Sequence, residues 1–328
     1  MTGRAGLETC VALLAGFVLA GCAGLPGPSY PIKDAGTALA RRDATIAQVS
    51  SMRAEARVDQ RAKQGRIRGT VLMIVERSGR VRFDVMTQFG PIAILTSDAK
   101  QFAYADFREK RYLTGETCPS NIARLLGVPL SAADTARFLL GGTPVLPGAK
   151  SELKLADEGS YRLTLRSPDG QRQELELAVY AADLKQPPDR QRLYLVRSEL
   201  FNPKGSRVWR VTYDDAEPTS SAPDAVLMPR KVRIEQPASS SDTLVLFKQI
   251  KINPQVPDEA FGQTPRPGME EAEALCDEPP AGEGDAEPQR RDPCAPKPGC
   301  ELPHVCDPEA GCESSAWCEP APACKPTS

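Results

Sequence analysis

Tyr161-Arg-Leu-Thr-Leu-Arg-Ser-Pro-Asp-Gly-Gln-Arg-Gln-Glu-Leu-Glu-Leu-Ala-Val-Tyr180 holds two alternating runs around a turn. Leu163 and Leu165 alternate with polar neighbours, and Leu175, Leu177 and Val179 do the same. A period of two sends successive side chains to opposite faces of a strand. Between the two runs stands Ser167-Pro-Asp-Gly170. Pro presets the backbone, Asp bonds its own main chain, and Gly supplies a positive φ, so this is turn chemistry. Two strands joined so tightly must be antiparallel, each with one apolar and one wet face.

The same pattern continues outward. Downstream lie Gln191–Phe201, with Leu193 and Leu195, and the turn Asn202-Pro-Lys-Gly205. Arg207–Tyr213 follows, alternating through Trp209, Val211 and Tyr213, and then Arg230–Glu235 and Thr243–Ile252. Upstream, Glu152–Ala156 reads as a strand. Earlier strands fall at Ile92–Thr96, Phe102–Phe107 and Arg111–Thr114, and Ala54, Ala56 and Val58 alternate with charged residues. Ile67–Glu76 and Val81–Thr87, joined through Ser78-Gly79, read as a hairpin. Helical spacing interrupts the series twice. Pro119–Leu126 and Ser131–Leu140 start at Pro119 and Ser131 and stop at Gly127 and Gly141-Gly142. Lys33–Ser50 carries Leu39, Ile46 and Val49 among Ala and charged residues, a weakly amphipathic helix.

About eleven or twelve strands at short spacing predict an antiparallel sheet too large to stay flat. The expected class is mainly β with a few helices: a curved, half-open β-barrel with plug helices, followed by a disordered tail. Val85, Ile94, Phe102, Leu163, Leu165, Leu175, Leu177, Val179, Leu193, Leu195, Trp209 and Val211 are the candidates for its apolar concave face. They either line a lipid pocket or fill a core, and periodicity does not distinguish the two. Phe89, between Gln88 and Gly90, either packs back on the sheet or faces a membrane or client.

The N-terminus reads as an export signal. Val11–Ala20 is apolar but short of the about 20 residues that span a bilayer. It has the length of a signal core. Leu19-Ala-Gly-Cys22 follows and resembles the lipobox of bacterial lipoproteins, which makes Cys22 the lipidation site. Multiple acyl chains give stable anchoring. The expected organisation is a signal peptide at 1–21, a tether at 22–32, the half-barrel at 33–261 and an acidic, Pro- and Cys-rich tail at 262–328. The 14 acidic and 5 basic residues from Gly262 onward give that tail a charge of −9, and the overall −2 leaves the body at about +7.

Three further segments carry a family likeness. Arg82-Phe-Asp-Val-Met-Thr-Gln-Phe-Gly90 is a strand leading to an apolar tip. Asn121-Ile-Ala-Arg-Leu-Leu-Gly-Val-Pro-Leu-Ser131 and Arg137-Phe-Leu-Leu-Gly-Gly-Thr-Pro144 are similar to a pair of plug helices reading Leu-Gly-x-Pro-Leu, an aromatic, then Leu-x-Gly. Ile250-Lys-Ile-Asn-Pro-Gln-Val-Pro-Asp-Glu-Ala-Phe261 resembles a closing strand and exit. Over Ser51–Phe261 the chain resembles the LolA/LolB-like half-barrel lipoproteins. The resemblance implies a hydrophobic groove for lipid or lipoprotein acyl chains, a periplasmic carrier as partner, and a periplasm-facing position on the outer membrane. It places the family's membrane-inserting loop tip on Phe89.

The chain has one histidine, His304, in the tail, so no Ser-His-Asp arrangement is expected in the body. No phosphate-cradling Gly loop or His-Glu-x-x-His stands in the sequence. A binding or structural protein is therefore expected rather than an enzyme, with no cofactor, metal or nucleic acid. Cys294, Cys300, Cys306, Cys312, Cys318 and Cys324 recur every six residues, and Cys276 keeps their phase. Zinc sites want ligands two to four residues apart, so disulfides are the expectation in an oxidising compartment. With Cys118 these make eight candidates whose pairing is not deducible. The tail is either incidental or a crosslinking segment for other envelope components.

Overall fold

Pairing that is antiparallel throughout except at one edge builds one curved, unclosed sheet of fourteen strands. The computed structural model describes residues 27–276, apart from 63–64, 128 and 157–158. Signal residues 1–21, Cys22 and the six cysteines from Cys294 to Cys324 lie outside the described residues.

The chain begins with helix α1 (Ala35–Ile46), whose first turn is capped by Asp34 accepting from the Thr37 N–H at 2.8 Å. Six strands follow: β1 (Ser51–Ala62), β2 (Gly65–Glu76), β3 (Val81–Thr87), β4 (Gly90–Ser97), β5 (Gln101–Asp106) and β6 (Arg111–Glu116). Helices α2 (Pro119–Leu126) and α3 (Ala132–Leu139) form an insertion. The sheet resumes with β7 (Lys150–Leu155), β8 (Tyr161–Arg166), β9 (Arg172–Val179), β10 (Leu193–Phe201), β11 (Arg207–Pro218), β12 (Leu227–Gln236) and β13 (Ser241–Ile252). β13 pairs with β1, which joins the two halves, and β14 (Glu270–Glu273) completes one edge.

The expected helices and hairpins form where the start and stop residues place them. Pro119 opens α2, and Gly127 closes it in the left-handed conformation at φ +65°. Ser131 caps α3 by accepting from the Asp134 N–H at 3.0 Å. β14 is the one strand outside the runs read from the sequence, because it carries no apolar alternation. It pairs parallel to β6 through its backbone alone.

β14 also moves the expected boundary at Phe261. Residues 262–276 stay with the body, because their main and side chains are bonded to it. Gln263 Nε2 donates to the carbonyls of Ile94 at 3.1 Å and Ala103 at 3.0 Å, and Tyr112 Oη donates to the Gln263 carbonyl at 2.5 Å. Cys276 is disulfide-bonded to Cys118. Gly115 is required beside this strand: a Cβ there would meet the Ala274 carbonyl oxygen at 2.3 Å.

Residues 29–32, expected to belong to the tether at 22–32, are bonded to the body. Ser29 N–H donates to the Leu184 carbonyl at 2.8 Å, and Ile32 N–H donates to Tyr161 Oη at 2.7 Å. Gln191, wholly buried, is the hub: its Nε2 donates to the carbonyls of Tyr30 (2.7 Å) and Gln186 (2.9 Å). A buried amide repays its desolvation only when bonded in this way.

The 180–192 crossing that carries Gln191 is braced by Asp183. Its carboxylate accepts from the Arg192 backbone N–H (2.9 Å), Nε (2.7 Å) and Nη2 (2.9 Å). Burial alone would push this carboxyl up, but the Arg192 hydrogen bonds outweigh it and hold it below the usual carboxylate range. A depressed carboxyl contributes stability above its unfolded value of about 3.9 and loses it as the pH falls through the lower folded value. Asp183→Asn is expected to cost about 1.5–3 kcal/mol at neutral pH. The gap to the parent should close in urea titrations at progressively lower acid pH; a pH-independent gap would remove the ion pair from the explanation.

Candidate functional site

The concave face carries the site the sequence points to. Phe102, Leu163, Leu165, Leu175, Leu177, Val179, Leu193, Leu195, Trp209 and Val211 are all buried in one apolar cluster, and Val85 packs against it partly buried. Ile94 does not join them. Leu95 occupies the inner face of β4, so Ile94 lies on the outer one, in register with Asp84 and Ala105. There it is buried beside the segment that bears Gln263, away from the apolar cluster of the inner face.

The face is not an empty groove. Helix α1 lies against β7 and β10, and α3 lies over β2. Phe138 of α3 meets Trp209 of β11 edge to face at 5.0 Å between ring centroids. Ile122 of α2 is fully buried. The loop after α3 is tied down by polar bonds in the interior. Gln173 Nε2 donates to the Pro144 carbonyl (2.7 Å) and Ser198 Oγ (3.1 Å), and Tyr213 Oη donates to the Gly142 carbonyl (2.6 Å). Burial drives the Tyr213 phenol far above its ordinary value, so it stays protonated and keeps donating. The cavity left beside Leu193, Leu195 and Tyr213 measures about 30 Å³. That is the share of one water in the liquid. No acyl chain fits there while the helices stay in place.

The pairing registers sort the turns onto two ends of the sheet. One end holds the β2–β3 turn, the 180–192 crossing and docked residues 29–32. The other holds the β1–β2 hairpin and the β3–β4 turn with Phe89. Phe89 does not pack back on the sheet: it is 91% exposed. Its turn is ordered, since Thr87 Oγ1 accepts from the Phe89 N–H (3.3 Å) and donates to the Gly90 carbonyl (2.9 Å). Ile67, 60% exposed, stands at the same end, beside Arg66 and Arg68, which both pair with Asp59. Exposed apolar residues flanked by arginines suit a membrane interface.

Several solved structures resemble this sheet. A LolA superfamily protein from Nitrosomonas europaea is 10% identical, covering 71% of this chain and 99% of its own, with a TM-score of 0.44. A Vibrio parahaemolyticus protein described as an outer membrane lipoprotein-sorting protein domain is also 10% identical, covering 69% of this chain and 94% of its own, with a TM-score of 0.44. A DUF1329 family protein from Desulfovibrio piger is 13% identical over 70% of this chain and 96% of its own, with a TM-score of 0.46. No family model and no curated protein matches the sequence. At these identities the likeness is one of fold alone, and the residues of the site stand on their own geometry.

Two features of the body go beyond the sequence expectations. The pairing of Cys118 with Cys276, both expected disulfide cysteines, is one, with a Cα–Cα distance of 6.0 Å. It joins the start of α2 to the end of the edge strand. Asn121 reinforces it, Nδ2 donating to the carbonyls of Glu116 (2.9 Å) and Ala274 (3.1 Å). The other is a group of arginines beside the β2–β3 turn, brought together from three separate elements. Only the fold could reveal either.

Proposed function

We propose that this is a lipid-anchored envelope protein that binds acyl chains or lipoproteins, described in its closed form. The observation that carries the reading is the cover on the concave face. The apolar sheet is closed by three short helices rather than by a second sheet. Two of them, α2 and α3, are eight residues each and sit in one insertion between β6 and β7. Helices this short have little stability of their own and persist through packing. A guest chain that offers equivalent apolar contact takes their place. About a dozen buried methylenes contribute roughly 10 kcal/mol, set against the apolar surface the helices re-expose.

Cys22 holds the protein to the outer membrane on the periplasmic side in this reading, with a carrier delivering the client. The work is binding rather than catalysis. No helix among the described residues is long and apolar enough to cross a membrane. Anchor and tip have a defined relation. From Cys22 to Ser29 the chain reaches at most about 25 Å. β1, with twelve residues, runs about 40 Å. The Phe89 tip and the anchor therefore meet one bilayer only if the sheet lies along it. Otherwise the tip faces away, toward a client.

Phe89→Glu is expected to lower partitioning of the chain without residues 1–22 onto anionic vesicles about ten-fold or more, the loss of one buried aromatic. Urea stability should stay within about 0.5 kcal/mol. Equal partitioning of parent and variant in flotation would take Phe89 out of the mechanism.

A second reading is favoured by the 30 Å³ void. Here the core is permanently filled, and the protein is a structural or interaction lipoprotein presenting its Cys-rich tail for crosslinking. Native mass spectrometry of the same soluble chain separates the two. Adducts of fatty-acid or phospholipid mass support the first reading, and a bare chain after lipid loading supports the second.

A further inference from the structure

Beside the β2–β3 turn is a pocket of about 230 Å³ lined by Arg42 of α1, Arg77 of the turn and Arg137 of α3. It has room for several waters at about 30 Å³ each. Asp43 and Thr143 also line it.

Arg42 is only 4% exposed, an unusual place for a cation. Its Nε and Nη2 donate to Asp43, while its Nη1 has no partner. A buried donor left unpaired carries the full cost of its desolvation. Arg77 is half-buried and donates through Nη2 to the carbonyls of Ile46 and Val49. Arg137 donates Nη1 to Asp134 at 3.1 Å and is otherwise turned to solvent. Three guanidinium groups thus face two carboxylates. The crowding is felt: burial and then the neighbouring Arg137 charge hold Arg77 below its ordinary value. Each guanidinium carries five N–H donors in a planar fork, and most of those in this group are unused by the contacts above.

We propose that this pocket is a binding site for a tetrahedral oxyanion, a phosphate group. Arginine forks match phosphate oxygens with paired, charge-assisted bonds. The bound charge would relieve the repulsion between Arg77 and Arg137 and offset the buried positive charge of Arg42. The phosphate belongs either to a free ion or to a lipid headgroup. The pocket lies at the end of the sheet where residues 29–32 dock, the described segment closest in sequence to Cys22. The site stands whether or not the concave face opens, because Arg42, Arg77 and Arg137 already meet in the closed form.

The test uses the full chain in non-ionic detergent, titrated calorimetrically with inorganic phosphate and with dihexanoyl phosphatidate. Saturable binding of inorganic phosphate identifies a free-ion site; binding of phosphatidate alone identifies a headgroup site. Either supports the proposal if Arg137→Gln weakens it about ten-fold or more and Arg137→Lys weakens it less. Arg137 is chosen because its exposed side chain does not hold the fold together, whereas loss of Arg42 or Arg77 threatens folding. Arg111→Gln, remote from the pocket, should change nothing. No binding of either probe, or binding that Arg137→Gln leaves intact, overturns the proposal.

Discussion

Phe138→Ala is expected to destabilise the protein by about 3–5 kcal/mol and, at the same time, to increase its uptake of an apolar ligand. Phe138 is fully buried and forms the edge contact with Trp209. Truncation leaves a hole that the sheet cannot close, because β11 is held on both sides by β10 and β12. A hole walled by apolar side chains stays dry and accepts apolar guests. Urea unfolding measures the first effect, and displacement of a fluorescent fatty acid the second. A variant that loses stability without gaining affinity would mean that α3 is part of a fixed core.

Loss of the Cys118–Cys276 bond should have a comparable effect. It closes a loop with a sequence separation of 158 residues. The chain-entropy relation gives about 5 kcal/mol for a loop of that length, an upper value when the unfolded chain keeps structure. The effect should also be local. Cys276→Ser frees β14, whose backbone pairing with β6 has no apolar packing to support it, and frees the first turn of α2. Amide exchange should therefore rise first in 270–276 and 119–122. If α2 is a movable plug, the same variant takes up acyl ligand faster. Unchanged exchange there, with stability kept, would show that the bond is incidental.

Much of this was legible in the residues, and the limits have physical causes. The hairpin from Tyr161 to Tyr180 could be read because its apolar residues keep one face. The bounds of α2 and α3 could be read because Pro119, Ser131, Gly127 and Gly141 act on the backbone locally. Ile94 could not be placed: Pro91-Ile-Ala-Ile-Leu95 is apolar on both faces, so its parity carries no signal. β14 was hidden because Glu270-Glu-Ala-Glu273 pairs through main-chain groups that every residue has. The partnership of Cys118 with Cys276 depends on where a strand ends in space, not on spacing. Whether the concave face is lined or filled was beyond sequence altogether, since Leu177 or Val211 has the same pattern against a helix as against a lipid.

In the proposed function, α3 and an acyl chain compete for the same surface. Trp209 reports on it directly, because Phe138 covers its ring. In a Trp317→Phe background Trp209 is the only tryptophan, and a fatty acid brominated along its chain can be titrated against its fluorescence. Saturable quenching, with an affinity that rises in Phe138→Ala, is the result expected. Unquenched Trp209 at saturating fatty acid would mean that the helices never leave the sheet, and the lipid-binding account would be wrong.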